Sequence, residues 1–195
     1  MTRRLTTRGK ERRAQLLAYA TKRFASDGYH PTSVADIVDG MGVGKGVFYW
    51  YFESKEELFV EILRNAQKDL RRTQQRAIEG VDDPVRRLEL GIRAAVLWMA
   101  EHPEERRLFE FARTEGSFAR AMRAGQSVLV ADAVTHLREA VESGAIPDRD
   151  PEALAHAVLG VSNQLTTVYM GSADRSHEEV ADLVVAICRN GFAGR

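Results

Sequence analysis

Apolar residues recur three and four apart along almost the whole chain, a spacing that one face of a helix requires and a strand cannot use. Leu16, Leu17, Ala20 and Phe24 share one face of a first helix, and Gly28 after Asp27 supplies its stop. Thr32 stands as the cap of a short helix from Ser33 to about Met41, with Val34, Ile37 and Val38 pointing inward. A turn at Gly42-Val43-Gly44 leads to a second short helix over 45–52. Ser54 and Glu57 have capping-box spacing, and Leu58, Phe59, Ile62, Leu63, Ala66 and Leu70 carry a long amphipathic helix from there. Asp83-Pro84, His102-Pro103 and Asp150-Pro151 each put proline in a first helical turn. These pairs predict helices over 84–101, over 103–114 and from 151 onward. Another helix is predicted over 117–143, ending at Ser143-Gly144, and a last one over 178–190, opened by Ser176 and Glu179 and stopped by Gly191. The reading is all-α, with the short connections such a fold needs.

The stretch GVGKGVFYWYF, Gly42 to Phe52, resists that reading most. Its glycines and lysine resemble a phosphate-binding loop, which needs a glycine five residues before the Gly-Lys pair and Ser or Thr after it. Asp39 and Gly46 occupy those positions, and no strand pattern precedes them. Val47 to Phe52 has high strand propensity. A lone strand in a helical chain has no partner, and one this aromatic invites aggregation. Two short helices joined by a tight glycine turn make a helix-turn-helix, the remaining solution. Phe48 and Phe52, four apart, then point into a small core. Lys45 and Tyr49, also four apart, face outward toward a DNA groove, and Gly46 lets backbone approach bases closely. Trp50 and Tyr51 reach flanking phosphates with N–H and O–H, and the helix start near Gly44 turns free N–H groups toward phosphate.

The run TSVADIVDGMGVGKGVFYWYFESKEELF, Thr32 to Phe59, preceded by FASDGY, resembles the DNA-binding domain of the TetR family of bacterial transcriptional repressors. The resemblance implies phosphate contacts from Thr32 and Ser33. It assigns bases and backbone to Lys45, Gly46, Tyr49, Trp50 and Tyr51, and a phosphate to Lys55 at the head of the fourth helix. Gly44 and Val47 stand where the family often has serine and threonine, which removes two hydroxyl contacts and weakens a helix cap. Val38 replaces a usual small residue where two helices cross. Two domains are expected, a helix-turn-helix DNA-binding domain over 1–53 and a helical ligand-binding and dimerisation domain over 54–195.

Ala153 to Ala173 contains no Asp, Glu, Lys or Arg, so this helix must be covered on more than one side. By resemblance, it and the last helix form a four-helix homodimer interface, with Gly160 permitting close approach. Trp98, Phe109, Phe111, Phe118, Met122, Gln164 and Tyr169 are the candidate ligand contacts, although aromatics at helical spacing are more often core. The polar Ser162, Asn163, Gln164, Thr166 and Thr167 need partners in such a helix. Arg106, Arg107, Arg113, Arg120 and Arg123 could attract an anionic ligand, but interleaved glutamates make a solvated face the simpler account.

Charge agrees with a polyanion partner: residues 1–55 hold ten Lys/Arg against five Asp/Glu, and the rest hold 18 against 23. The single cysteine, Cys188, rules out an intramolecular disulfide and reads as a core thiol. The histidines lack metal-ligand spacing and no nucleophile elbow is present, so no enzyme, metal or cofactor is expected. No apolar run spans a membrane and no signal core follows the basic N-terminus, which points to the cytoplasm. The expected function is a ligand-responsive DNA-binding transcriptional regulator. It is read as a repressor released from a palindromic operator when a largely apolar small-molecule inducer shifts the fourth helix. The alternative is a helical small-molecule binding protein without operator-specific regulation.

Overall fold

The computed structural model describes residues 6–171 and 174–193, and for Phe192 and Ala193 their backbone only. The basic start of the chain and the end of the charge-free run, Ser172 and Ala173, lie outside the described residues. The order is α1 (Thr7–Asp27), α2 (Val34–Gly40), α3 (Lys45–Tyr51), α4 (Lys55–Ala77), α5 (Pro84–Glu101), α6 (Pro103–Thr114), α7 (Ala119–Glu142), α8 (Pro151–Tyr169) and α9 (His177–Ala193). A single 3₁₀ turn, Gly116–Phe118, precedes α7, and no strand occurs among the described residues. Among these residues, no helix is long and apolar enough to cross a membrane.

The helix ends follow side-chain chemistry. Thr6 accepts from the Gly9 amide at 3.2 Å, and Gly28 ends α1 with φ 91°, a conformation that favours glycine. Asp83 and Asp150 cap α5 and α8, each followed by proline. Ser176 and Glu179 form both bonds of a capping box, at 3.2 and 2.7 Å. Ser54 completes only half of one, because the Glu57 carboxylate reaches the Glu53 amide instead, at 2.6 Å. Two expected boundaries move. Ser33, not Thr32, caps α2, because the acid that completes the box, Asp36, lies three residues after Ser33. Gly191 does not stop α9, which runs on to Ala193 while Arg149 donates to the Gly191 carbonyl at 3.2 Å.

The chain forms two compact units, the first made of residues 1–66 and 104–121, the second of 67–103 and 122–195. Their outline differs from the sequence division at 53/54, because α6 belongs with the helix-turn-helix and α4 contributes to both. In the first unit, Leu16, Ala20, Ile37, Val38, Phe48, Phe52, Leu58 and Phe59 are buried. Val38 sits in this core, and the closest helix approach falls two residues later. A Cβ on Gly40 would lie 1.8 Å from the Tyr19 hydroxyl. In the second unit, Leu88, Ile92, Val96, Leu137, Ala155, Val180 and Val184 anchor one core where α9 packs on α5 and α8. Ion pairs brace its rim: Arg71 holds Asp132 with two bonds of 2.6 and 2.9 Å, Arg87 holds Glu139, and Arg93 holds Asp182.

Phe52 is 1% exposed at the end of α3, and the Arg13 guanidinium lies 4.8 Å above its ring. Phe52→Ala is expected to destabilise the first unit by roughly 3–5 kcal/mol. Urea unfolding followed by circular dichroism reads this directly, and wild-type stability would remove Phe52 from the core.

Candidate nucleic-acid interface

The second short helix is built on two anchors. Phe48 and Phe52 are buried against each other, ring centroids 5.8 Å apart, which fixes the rotation of α3. That rotation sends Lys45, Gly46, Tyr49 and Trp50 outward. Tyr49 is 57% and Trp50 51% exposed, large values for aromatic side chains. Tyr51 is half-buried, its ring edge-on to Trp50 at 4.6 Å. A Cβ on Gly46 would meet nothing within 4 Å, so its backbone lies open. Gly44 caps α3 with no side-chain bond, as the missing hydroxyl implies.

The start of α2 is organised differently. The Ser33 hydroxyl donates to the Asp36 carboxylate at 2.6 Å and accepts from the Asp36 amide at 3.1 Å, and the Ser33 amide donates to the same carboxylate at 2.7 Å. These bonds, the hydroxyl first, hold the Asp36 carboxyl below its ordinary range. Ser33 is exposed beside this box. Thr32 is not available as a phosphate contact through its side chain. It is 2% exposed, and its hydroxyl donates to the Gly28 carbonyl at 2.7 Å.

Lys55 also turns inward. Its Nζ donates to the carbonyls of Tyr29 and Thr32 at 2.9 and 3.0 Å and lies 4.2 Å above the Tyr29 ring. Tyr29 has no assigned role in the sequence reading, yet it is the hub of this region. Its hydroxyl donates to Glu56 at 3.1 Å, and rings of Phe24, Phe59, Phe111 and Phe118 surround it at 4.8–5.5 Å. Burial, then the Glu56 carboxylate, pushes its hydroxyl pKa well above the ordinary tyrosine value. Tyr29 was visible as the tyrosine after Gly28, but its partners 26 to 89 residues away were not.

The seven ligand candidates separate. Phe109, Phe111 and Phe118 are in the first unit, Phe109 and Phe118 buried and Phe111 half-buried. In the second unit Trp98 is 2% exposed, its indole N–H donates to Asp69 at 2.9 Å, and it stacks on His102 at 4.2 Å. Met122 is buried and accepts from Gln67 through sulfur at 3.8 Å. Gln164 is exposed on α8, and Tyr169 is half-buried with Arg175 5.2 Å over its ring. In the basic stretch, Arg106 pairs with Glu110 at 3.1 Å and the other four arginines are exposed. Cys188 is a buried thiol pushed up to about 11 by its burial. Among the described residues, no group of three or more His, Cys, Asp or Glu could hold a metal ion.

A helix-turn-helix with a buried aromatic pair and an outward basic-aromatic face defines a DNA-binding regulator. The model of the bacterial regulatory proteins of the tetR family matches residues 16–62. That of the tetracyclin repressor-like C-terminal domain matches residues 81–192. The chain therefore belongs to the TetR family of bacterial transcriptional regulators. It is 35% identical over 79 residues to the HTH-type transcriptional regulator HbdR of Aromatoleum, a match covering 40% of this chain and 34% of that one. It is 28% identical over 196 residues to the HTH-type transcriptional repressor KstR2 of Mycolicibacterium smegmatis, covering 93% of this chain and 90% of that one. The fold is that of a tetR family regulator from Shewanella sp. PV-4, with TM-score 0.80 at 20% identity over 94% of this chain and 99% of that one. The chain thus spans about a third of HbdR and nine-tenths of KstR2.

The capping box sets a pH dependence. Folding lowers the Asp36 pKa, so the carboxylate stabilises the head above its unfolded value near ~3.9 and loses that contribution as pH falls through the folded value. Asp36→Asn is therefore expected to lower stability at neutral pH, with the gap to wild type closing in acid. Urea titrations across the acid range measure it, and a gap that widens in acid contradicts the assignment.

Proposed function

We propose that the protein is a homodimeric, ligand-responsive repressor, each subunit presenting α3 to successive major grooves of a palindromic operator. One observation carries the reading: burial of Phe48 and Phe52 forces Lys45, Gly46, Tyr49 and Trp50 onto one exposed face. Tyr49 reads a base edge, Lys45 and the Trp50 and Tyr51 tips hold the backbone, and Ser33 approaches phosphate from the start of α2. Repression is the direction named for KstR2, which matches over most of both chains.

The dimer is assigned to α8 and α9. Along α8 the exposed positions Ala157, Gly160, Gln164 and Val168 carry no charge, and on α9 Ala186 and Ile187 are exposed. Val168 and Ile187 are among the few large apolar side chains left open to water. The inducer is taken to be a largely apolar small molecule, because the buried side chains of the second unit are predominantly apolar. Its binding lowers operator affinity.

Three measurements test this. Tyr49→Phe is expected to cost on the order of 1–3 kcal/mol at one operator position and to relax discrimination there, as anisotropy titrations against single-base variants would show. Loss spread evenly over all positions would refute the base-reading role. Gly160→Arg is expected to give monomers by sedimentation. A Cβ there meets nothing within 4 Å, so the chain itself is undisturbed, and a variant that stays dimeric moves the interface elsewhere. Finally, a ligand that raises the melting temperature is expected to weaken operator binding by about 1–3 kcal/mol, because linkage is reciprocal. A stabilising ligand without effect on DNA affinity removes the inducer model.

A further inference from the structure

The turn between α1 and α2 carries three carbonyls that no helix satisfies in the usual way, and two side chains take them. Thr32 donates to Gly28, and Lys55 donates to both Tyr29 and Thr32. An ammonium has three N–H groups. Lys55 spends two on these carbonyls, and the face of the Tyr29 ring lies 4.2 Å from the nitrogen. The next residue, Glu56, accepts from the Tyr29 hydroxyl. Consecutive side chains at the head of α4 therefore grip the two ends of the same tyrosine. Immediately after the gripped segment comes Ser33, whose capping box starts α2. The ammonium is thus a clasp on the backbone that leads into α2, the helix on which α3 packs.

We propose that Lys55 is a positioning residue for DNA binding: it acts through the Tyr29–Thr32 turn to fix the start of α2, and not by holding a DNA phosphate. The proposal rests on the DNA-reading function above. A phosphate anchor would need its donors facing solvent, whereas here they converge on main-chain oxygens. Lysine suits the clasp because a compact point charge can satisfy two carbonyls and a ring face from one nitrogen. The planar fork of arginine diverges and cannot reproduce that geometry.

The experiment compares wild type, Lys55→Met and Lys55→Arg in the full-length protein. The DNA probe is a palindrome enriched from random sequence with wild type, titrated by anisotropy over a salt series. Without the clasp only part of the population has α2 in place, so apparent affinity falls by that fraction, on the order of tenfold. The slope of log K against log salt stays at the wild-type value, since no phosphate contact is lost. Lys55→Arg keeps the charge and is expected to lose affinity as Lys55→Met does. Hydrogen exchange of the free proteins supplies a readout without DNA. The Asp36 and Ile37 amides, which donate to Ser33, are expected to exchange faster in both variants, while amides of α5 and α9 keep their protection. If Lys55→Met does not fold, Lys55→Arg carries both measurements.

A slope reduced by about 0.9 per half-site in Lys55→Met, with Lys55→Arg at wild-type affinity, would overturn the proposal in favour of a phosphate anchor. Unchanged exchange at Asp36 and Ile37 would overturn it as well. If wild type enriches no palindrome and binds DNA without salt dependence, the DNA-reading function fails. The exchange result then still decides whether the clasp exists.

Discussion

Seven residues do not make a stable helix in water, and both helices of the reading head have that length. Their sequences do not help. α3 opens on glycine without a side-chain cap, has a second glycine inside, and is otherwise mostly β-branched or aromatic. Everything that holds α3 helical comes from outside it. Phe48 and Phe52 bury in a core made by Leu16, Ala20, Ile37, Val38 and Leu58 from three other helices. The orientation of the DNA-facing side chains is a by-product of that burial. Phe48 and Phe52 cannot turn inward without Lys45 and Tyr49 turning outward.

The same constraint explains where polar bonds are concentrated. A short α2 needs its first turn fixed, and the box between Ser33 and Asp36 satisfies amides that a seven-residue helix cannot satisfy internally. The segment leading into it is braced by Thr32, Lys55 and Glu56. Phe111 of α6 and Phe118 of the following turn add ring contacts to Tyr29, so the first unit includes residues far along the chain. The second unit relies instead on a broad aliphatic core, with arginine–carboxylate pairs at its rim.

Much of this was legible. Helical spacing, proline and glycine punctuation and capping boxes locate nine helices, and the pattern from Thr32 to Phe59 names the family. The cap of α2 could have been placed correctly, because Ser33-Val-Ala-Asp36 has capping-box spacing and Thr32 has Ala35 at the corresponding position. Gly191 misled because glycine after a helical run reads as a stop, and nothing local reveals that Arg149 binds its carbonyl. The sequence division at 53/54 follows a change of element, whereas the compact units follow packing by α6. The C-terminal half looked like its family only in length and helix content, yet the family's C-terminal domain matches residues 81–192. Its defining pattern is spread over helix faces rather than gathered in a motif. Trp98 looked like a ligand contact for the same reason. Burial and the bond to Asp69 cannot be read from one position's neighbours in sequence.

Lys55 shows how a residue can be found correctly and its chemistry still be misread. The sequence places it at the head of α4, beside the helix-turn-helix, where a cation near DNA is naturally assigned to phosphate. That assignment counts only its charge. The structure adds the direction of its donors, toward the two carbonyls that precede Ser33, and the ring that faces them. Charge and direction make different demands on a replacement: arginine preserves the first and not the second. The reading head therefore divides its requirements. The entry to α2 is fixed by internal bonds, while the first turn of α3, capped by Gly44 and open at Gly46, leaves its amides to solvent or a bound partner. The part that meets DNA is the part the protein does not satisfy by itself.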